Sequence, residues 1–162
     1  MLSPAYIDLK FAPSVELIGD VRRFVSQFYG VFVADEDTAS QIGLATHELL
    51  ENAIKYGIDG TTSLRIELSG ILPDVSVRIA VTNRTTPDHL VVLRSIIAEM
   101  AAAPDATAFY HQVIRRSLGT RDGSGLGIPR LRAEAGMTMT LEEADGGVVT
   151  VVARRHLRKD PS

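Results

Sequence analysis

The sequence predicts an α+β fold: a two-layer α/β sandwich whose mixed, mostly antiparallel sheet carries its helices on one face. The element order is one observation behind this: strand, two helices, two strands, a helical insert, a glycine loop with a short helix, and a closing hairpin. A second is that most strands are joined by short turns, so they pair as hairpins rather than through helical crossovers. A third is that the strands alternate apolar with polar residues, which buries one face and leaves the other wet.

The elements follow in order. Ala5 to Phe11 sets Ile7, Leu9 and Phe11 against Tyr6, Asp8 and Lys10, an opening strand with one buried face. Ser14 then caps a helix in which Val15, Ile18, Val21, Val25 and Phe28 recur at helical spacing, with Gly30 expected to close it. The acidic run Asp35-Glu36-Asp37 suits the positive end of a second helix, expected over Glu36 to Tyr56 and capped by Gly57. Leu64, Ile66 and Leu68, then Val75, Val77, Ile79 and Val81, mark two strands turning at Leu72-Pro73-Asp74. Pro104 splits an insert at about 88–118 into two helices, whose apolar residues suit a sheet edge or a partner. Pro129 fits the first turn of a short helix ending at Gly136. Met137 to Glu143 and Val148 to Leu157 form the last hairpin, turned at Asp145-Gly146-Gly147, and a basic tail from Arg154 to 162 is expected to fray.

At 162 residues the chain is most economically one domain, long enough to bury a core. Its net charge of −3 and lack of a basic stripe disfavour nucleic acid as a partner. The absence of cysteine excludes disulfides, thiolate metal sites and a cysteine nucleophile. With no signal-peptide pattern and no apolar run of spanning length, a cytoplasmic protein without membrane contact is expected. The four histidines are too scattered to suggest a metal cluster.

Chemistry concentrates in two stretches. Winding the second helix at its period puts Ile42, Ala45, Leu49, Leu50 and Ala53 on one face and Glu48, Glu51, Asn52 and Lys55 on the opposite arc. A carboxylate, a carboxamide and an ammonium on one edge of a packed helix suit a metal and a phosphate, although the same arc also reads as a solvated face. The second stretch is Gly123-Ser124-Gly125-Leu126-Gly127, directly before a helix. Glycines there let backbone amides approach an anion, and the helix start adds partial positive charge. The stretch lacks the lysine and preceding strand of a Walker loop and the βαβ unit of a dinucleotide fold.

In these motifs the chain resembles the GHKL (Bergerat-fold) ATPases, the histidine-kinase-like superfamily. His47-Glu48-Leu49-Leu50-Glu51-Asn52-Ala53-Ile54-Lys55-Tyr56-Gly57 is similar to their N box, and the run from Asp122 to Glu134 is similar to their second glycine box. In build the chain is similar to the stand-alone anti-sigma-factor serine/threonine kinases of bacterial partner switching, SiaB-type proteins included. The resemblance implies a Bergerat-type fold binding ATP and Mg²⁺. It makes Asn52 the metal ligand, Glu48 the general base, and Lys55 a lysine near the phosphates. It also makes Gly123, Gly125, Leu126 and Gly127 the nucleotide lid, with Arg121 a phosphate contact.

One motif departs from that family. Asp-x-Gly-x-Gly is expected where this chain has Asn83-Arg84-Thr85, so Asn83 would accept from the adenine amine without a carboxylate's charge. The implied function is an ATP-binding regulatory switch, a protein kinase that phosphorylates or sequesters a small STAS-type antagonist, with a sigma factor or other signalling protein as a further partner and a homodimer allowed. The competing reading is a degenerate domain that has lost turnover and acts only by holding a partner.

Overall fold

The computed structural model describes residues 5–33, 35–71, 74–118 and 127–158. Five strands form one sheet: β1 (Tyr6–Phe11), β2 (Thr62–Ile71), β3 (Asp74–Arg84), β4 (Thr138–Ala144) and β5 (Val148–Arg158). The helices are α1 (Val15–Val33), α2 (Glu36–Tyr56), α3 (Pro87–Ala102), α4 (Ala106–Ser117) and α5 (Gly127–Ala135). The sheet order is β1-β2-β3-β5-β4, and every neighbouring pair is antiparallel. The α+β fold class is borne out, and among the described residues no pair is parallel.

Register stacks the apolar alternation into one buried face. Ile66 lies opposite Ile79, and Ile79 opposite Ala153, all fully buried. The other face carries exposed charges in ion pairs: Arg65 with Asp8 at 3.0 Å, Arg78 with Glu67 at 3.7 Å and with Glu142 at 3.5 Å. Such wet pairs add little stability, so the buried apolar face carries the fold.

α2 is the central helix. Asp35 caps it by accepting from the backbone N–H groups of Asp37 and Thr38, as the acidic run implied. Its apolar face, Ile42, Ala45, Leu49, Leu50 and Ala53, is buried as expected. α1 crosses it so closely at Gly43 that a Cβ there would collide with Ser26 Oγ. α1 itself runs on to Val33 rather than closing at Gly30. Gly30 is not in the left-handed region that ends helices, and the helix passes it into Val31–Val33.

The insert packs on the edge strand β4, as its apolar residues implied. Leu93, Ile97 and Met100 of α3 are buried, and Arg94 forks onto the Glu143 carboxylate. Arg132 of α5 donates to the carbonyls of Met100 and Ala103, tying the end of α3 to α5. The expected fraying from Arg154 needs correction, because β5 continues through Arg158. Residues Arg154 to Arg158 pair with β3, and Arg155 donates to Gln41 of α2 and to the Ala135 carbonyl, 3.2 Å away. Backbone pairing and these bonds outweigh a polar composition. The turn at Leu72-Pro73 and residues 159–162 lie outside the described residues. Among the described residues, no helix is long and apolar enough to cross a membrane.

Candidate functional site

The polar arc of α2 lies against the first turn of α5. Glu48 Oε1 is 3.2 Å from Arg130 Nη1, and the Glu48 side chain is only 11% exposed. Arg130 also holds Glu134, one turn along α5, at 2.7 Å. Gly127, the first residue of α5, is pressed so close that a Cβ would collide with Glu48 Oε2. Any side chain at this position would push the Glu48 carboxylate out of its place. The structure thus brings together Glu48 and Gly127, two residues that the sequence places 79 positions apart.

Burial pushes the Glu48 carboxyl above the ordinary carboxylate range, while the Arg130 guanidinium beside it pulls the other way. Glu51, His47 and Arg22 act on it more weakly. A carboxylate poised in this manner is a stronger base than a solvated one. Asn52, one turn further along α2, is half-buried, and its carboxamide makes no hydrogen bond to a described residue. Its oxygen is therefore available to a hard cation, the donor type that Mg²⁺ prefers. Among the described residues no cluster of three or more His, Cys, Asp or Glu could hold a metal alone. An Asn52-bound ion would need phosphate and water for the rest of its shell. Lys55 is exposed, with its ammonium 5.6 Å from the Tyr56 ring centroid. Arg121, Gly123, Gly125 and Leu126 lie outside the described residues.

Asn83, near the end of β3, and Thr85, just past it, lie directly beside the last turn of α2. Asn83 is buried and donates through Nδ2 to the Ala53 carbonyl at 3.3 Å. Thr85, also buried, donates through Oγ1 to the Tyr56 carbonyl at 2.9 Å. Ile58 N–H donates to the Arg84 carbonyl at 3.0 Å, completing the seam. Gly57 does not take the left-handed cap conformation; its φ is −71° and its ψ 144°. It is glycine because a Cβ would stand 2.5 Å from the Ala53 carbonyl oxygen and 3.1 Å from Asn83 Nδ2. The Ala53 carbonyl already accepts from the Gly57 N–H at 2.8 Å and takes Asn83 as a second donor, whereas the terminal Tyr56 carbonyl accepts from Thr85, just past β3. The bond to Ala53 also fixes the amide's orientation, leaving Oδ1 as the acceptor.

The local sequence pattern gives no sign of two of the groups placed here. Arg130 stood inside the glycine-box run without an assigned role, since nothing in its local pattern indicates a partner 82 residues away. His89 stacks on Tyr56 with centroids 3.5 Å apart and planes 11° from parallel, and burial pushes its pKa down. That contact joins the start of α3 to the end of α2. The Nδ1 of His47, next to Glu48, is buried with no hydrogen-bond partner among the described residues.

No protein-family model and no curated protein matches the sequence. Among solved structures, the chain is similar to one in the crystal structure of the SiaB–SiaC complex from Pseudomonas aeruginosa. The TM-score is 0.65 and the identity 15%, over 93% of this chain and 89% of the other. At that identity the likeness concerns the fold.

Proposed function

We infer that the chain is an ATP-binding regulatory switch, a serine/threonine protein kinase that phosphorylates or sequesters a small STAS-type antagonist. The observation that carries this reading is the seating of Glu48 against Gly127 and Arg130, with Asn52 one helical turn away. It is supported by the fold likeness to a chain found in a two-protein complex, which favours a protein partner. In this reading Asn52 holds Mg²⁺, which neutralises phosphate charge when bound. Glu48 orients the hydroxyl of the protein substrate and takes its proton, aided by the burial that raises its basicity. Arg130 keeps that carboxylate in place. Asn83 Oδ1 accepts from the adenine amine, and Lys55, with Arg121 and the glycines at 123, 125 and 127, meets the phosphates.

A second reading is favoured by a specific observation: Asn83 and Thr85 spend their donors on the end of α2. Under it, the family's base-binding position has become a helix cap, and the domain only holds a partner. Calorimetric titration with ATP, with and without Mg²⁺, separates the two. The kinase reading expects Mg-dependent binding that Asn52→Ala abolishes. It also expects Glu48→Ala to bind within a few-fold of wild type yet transfer phosphate roughly 10²-fold more slowly. No heat at millimolar nucleotide would establish the binding module.

A further inference from the structure

Arg130 meets Glu48 with one edge of its guanidinium only. Its Nη1 donates to Glu48 Oε1 at 3.2 Å, while its Nε donates to Glu134 Oε2 at 2.7 Å. Glu134 stands one turn further along α5, on the exposed side of that helix. The two carboxylates share one cation without competing for the same N–H. An arginine side chain is long and rotamer-rich, so its attachment to α5 alone does not select the rotamer that reaches α2. Held at Nε, the planar guanidinium presents the rest of its fork in a fixed direction.

Glu48 is the more demanding end of these bonds. Its side chain is largely buried, and Gly127 lies so near Oε2 that no Cβ fits between them. Oε1 is the atom that Arg130 holds. The carboxylate is thus fixed from both oxygens, and a buried carboxylate whose cation strays is left with its charge uncompensated. Other charges face it from α2, in Glu51 and His47, and from α1, in Arg22, and each acts on it less than Arg130 does. Tyr110 of α4 faces the guanidinium, with less effect than either glutamate.

We propose that Glu134 is a positioning residue for the general base: by holding the Nε edge of Arg130 it aims Nη1 at Glu48 Oε1 and keeps that carboxylate paired and oriented. The inference rests on the kinase reading for the role of Glu48 alone. The bonds from Glu134 through Arg130 to Glu48 stand on their own geometry. An exposed pair one turn apart on a helix adds little stability, so Glu134 acts through the direction it gives Arg130. Arg130 holds down the proton affinity of Glu48 against burial, and an Arg130 that strays lets it rise. Removing the Glu134 charge by itself works the other way, because a nearby negative charge makes a carboxyl keep its proton. Positioning and direct charge therefore differ in sign.

The test follows the Glu48 carboxyl carbon by NMR in the full chain carrying isotope-labelled glutamate, the signal being assigned from its loss in Glu48→Gln. Glu134→Ala should move the Glu48 titration to higher pH. Glu134→Gln keeps an oxygen for Arg130 Nε and should leave the titration near that of wild type. Arg130→Met should raise it at least as far, and adding Glu134→Ala to that variant should raise it no further. Thermal melts of Glu134→Ala should match wild type. In the kinase reading, the acid limb of the turnover profile moves upward with the same variants. A Glu134→Ala titration that stays put or moves to lower pH overturns the proposal, and so does an equal rise with and without Arg130. The carboxyl titration needs no nucleotide. A chain that neither binds nor turns over ATP therefore fails the kinase reading, whereas a Glu48 titration indifferent to Glu134 fails this one.

Discussion

Asn83→Asp tests the seam between β3 and α2, because the family resemblance and the structure make opposite demands on it. The resemblance makes a carboxylate the better adenine acceptor. The structure shows Asn83 acting as a donor to the Ala53 carbonyl from a site 8% exposed. Aspartate has the same shape and at neutral pH no donor. The lost bond costs roughly 1 kcal/mol, and burying oxygen against oxygen adds about 1–3 kcal/mol. The negative end of α2 contributes roughly 0.3–1 kcal/mol against an anion at that position. The sum is about 2–5 kcal/mol, a fall in Tm of roughly 5–20 °C for a domain of this size. Urea unfolding followed by circular dichroism at pH 7 measures it. The new carboxyl has its folded pKa raised, so the deficit should be absent below the unfolded value near ~4 and develop as pH rises through the folded one. At low pH the protonated group again offers a donor to Ala53. A variant as stable as wild type at pH 7 would show that the amide is not capping α2. If that variant also tightened ATP, the family's role for this position would stand unmodified.

Other perturbations probe the same scaffold. Glu48 has its folded pKa raised by burial, so its stabilising contribution is present below its unfolded pKa and lost as pH rises through the folded one. Glu48→Gln should therefore raise Tm at pH 7 and match wild type at acid pH; a pH-independent difference would contradict the burial of that carboxylate. Gly43→Ala should cost about 1–3 kcal/mol by overpacking the α1–α2 crossing. Adding Ser26→Ala should recover only part, because the Arg22 carbonyl oxygen remains 3.3 Å from the new Cβ; equal urea midpoints for all three proteins would refute the crossing. Tyr29→Phe removes the buried hydroxyl bonded to the Ile66 carbonyl at 3.0 Å and should cost roughly 1 kcal/mol in urea unfolding.

Much of the architecture was legible because it rests on local periodicity. The Leu64/Ile66/Leu68 and Val77/Ile79/Val81 alternations gave the central strands, and the apolar stripe of α2 gave both its buried face and its polar arc. Boundaries failed where tertiary contacts override composition. The strand from Val148 to Leu157 was legible and β5 bears it out, but the stretch from Arg154 also read as a basic tail that frays, whereas pairing with β3 and the Arg155 bonds hold it through Arg158. Gly30 read as a stop, yet glycine ends a helix only where the backbone turns left-handed. At the candidate site, the placement of Glu48 and Asn52 on one arc of α2 was legible because a helix puts residues four apart side by side. Arg130 was not, since its contact with Glu48 exists only after α5 docks on α2.

The Asn83-Arg84-Thr85 departure gains a physical account from the same seam. A helix that stops without a left-handed cap leaves carbonyls needing donors, and α2 stops in this manner at Gly57. An Asp-x-Gly pair supplies no side-chain donor at neutral pH. Thr85 supplies one to Tyr56, and Asn83 adds a second donor to Ala53, which already accepts from the Gly57 N–H; both carbonyls lie on the helix that carries Glu48 and Asn52. The residues that depart from the resemblance therefore bond to the end of the helix bearing the candidate chemistry. Under the proposed adenine role, anything that draws Asn83 toward the base must act against its bond to Ala53, which would couple binding there to the order of the last turn of α2.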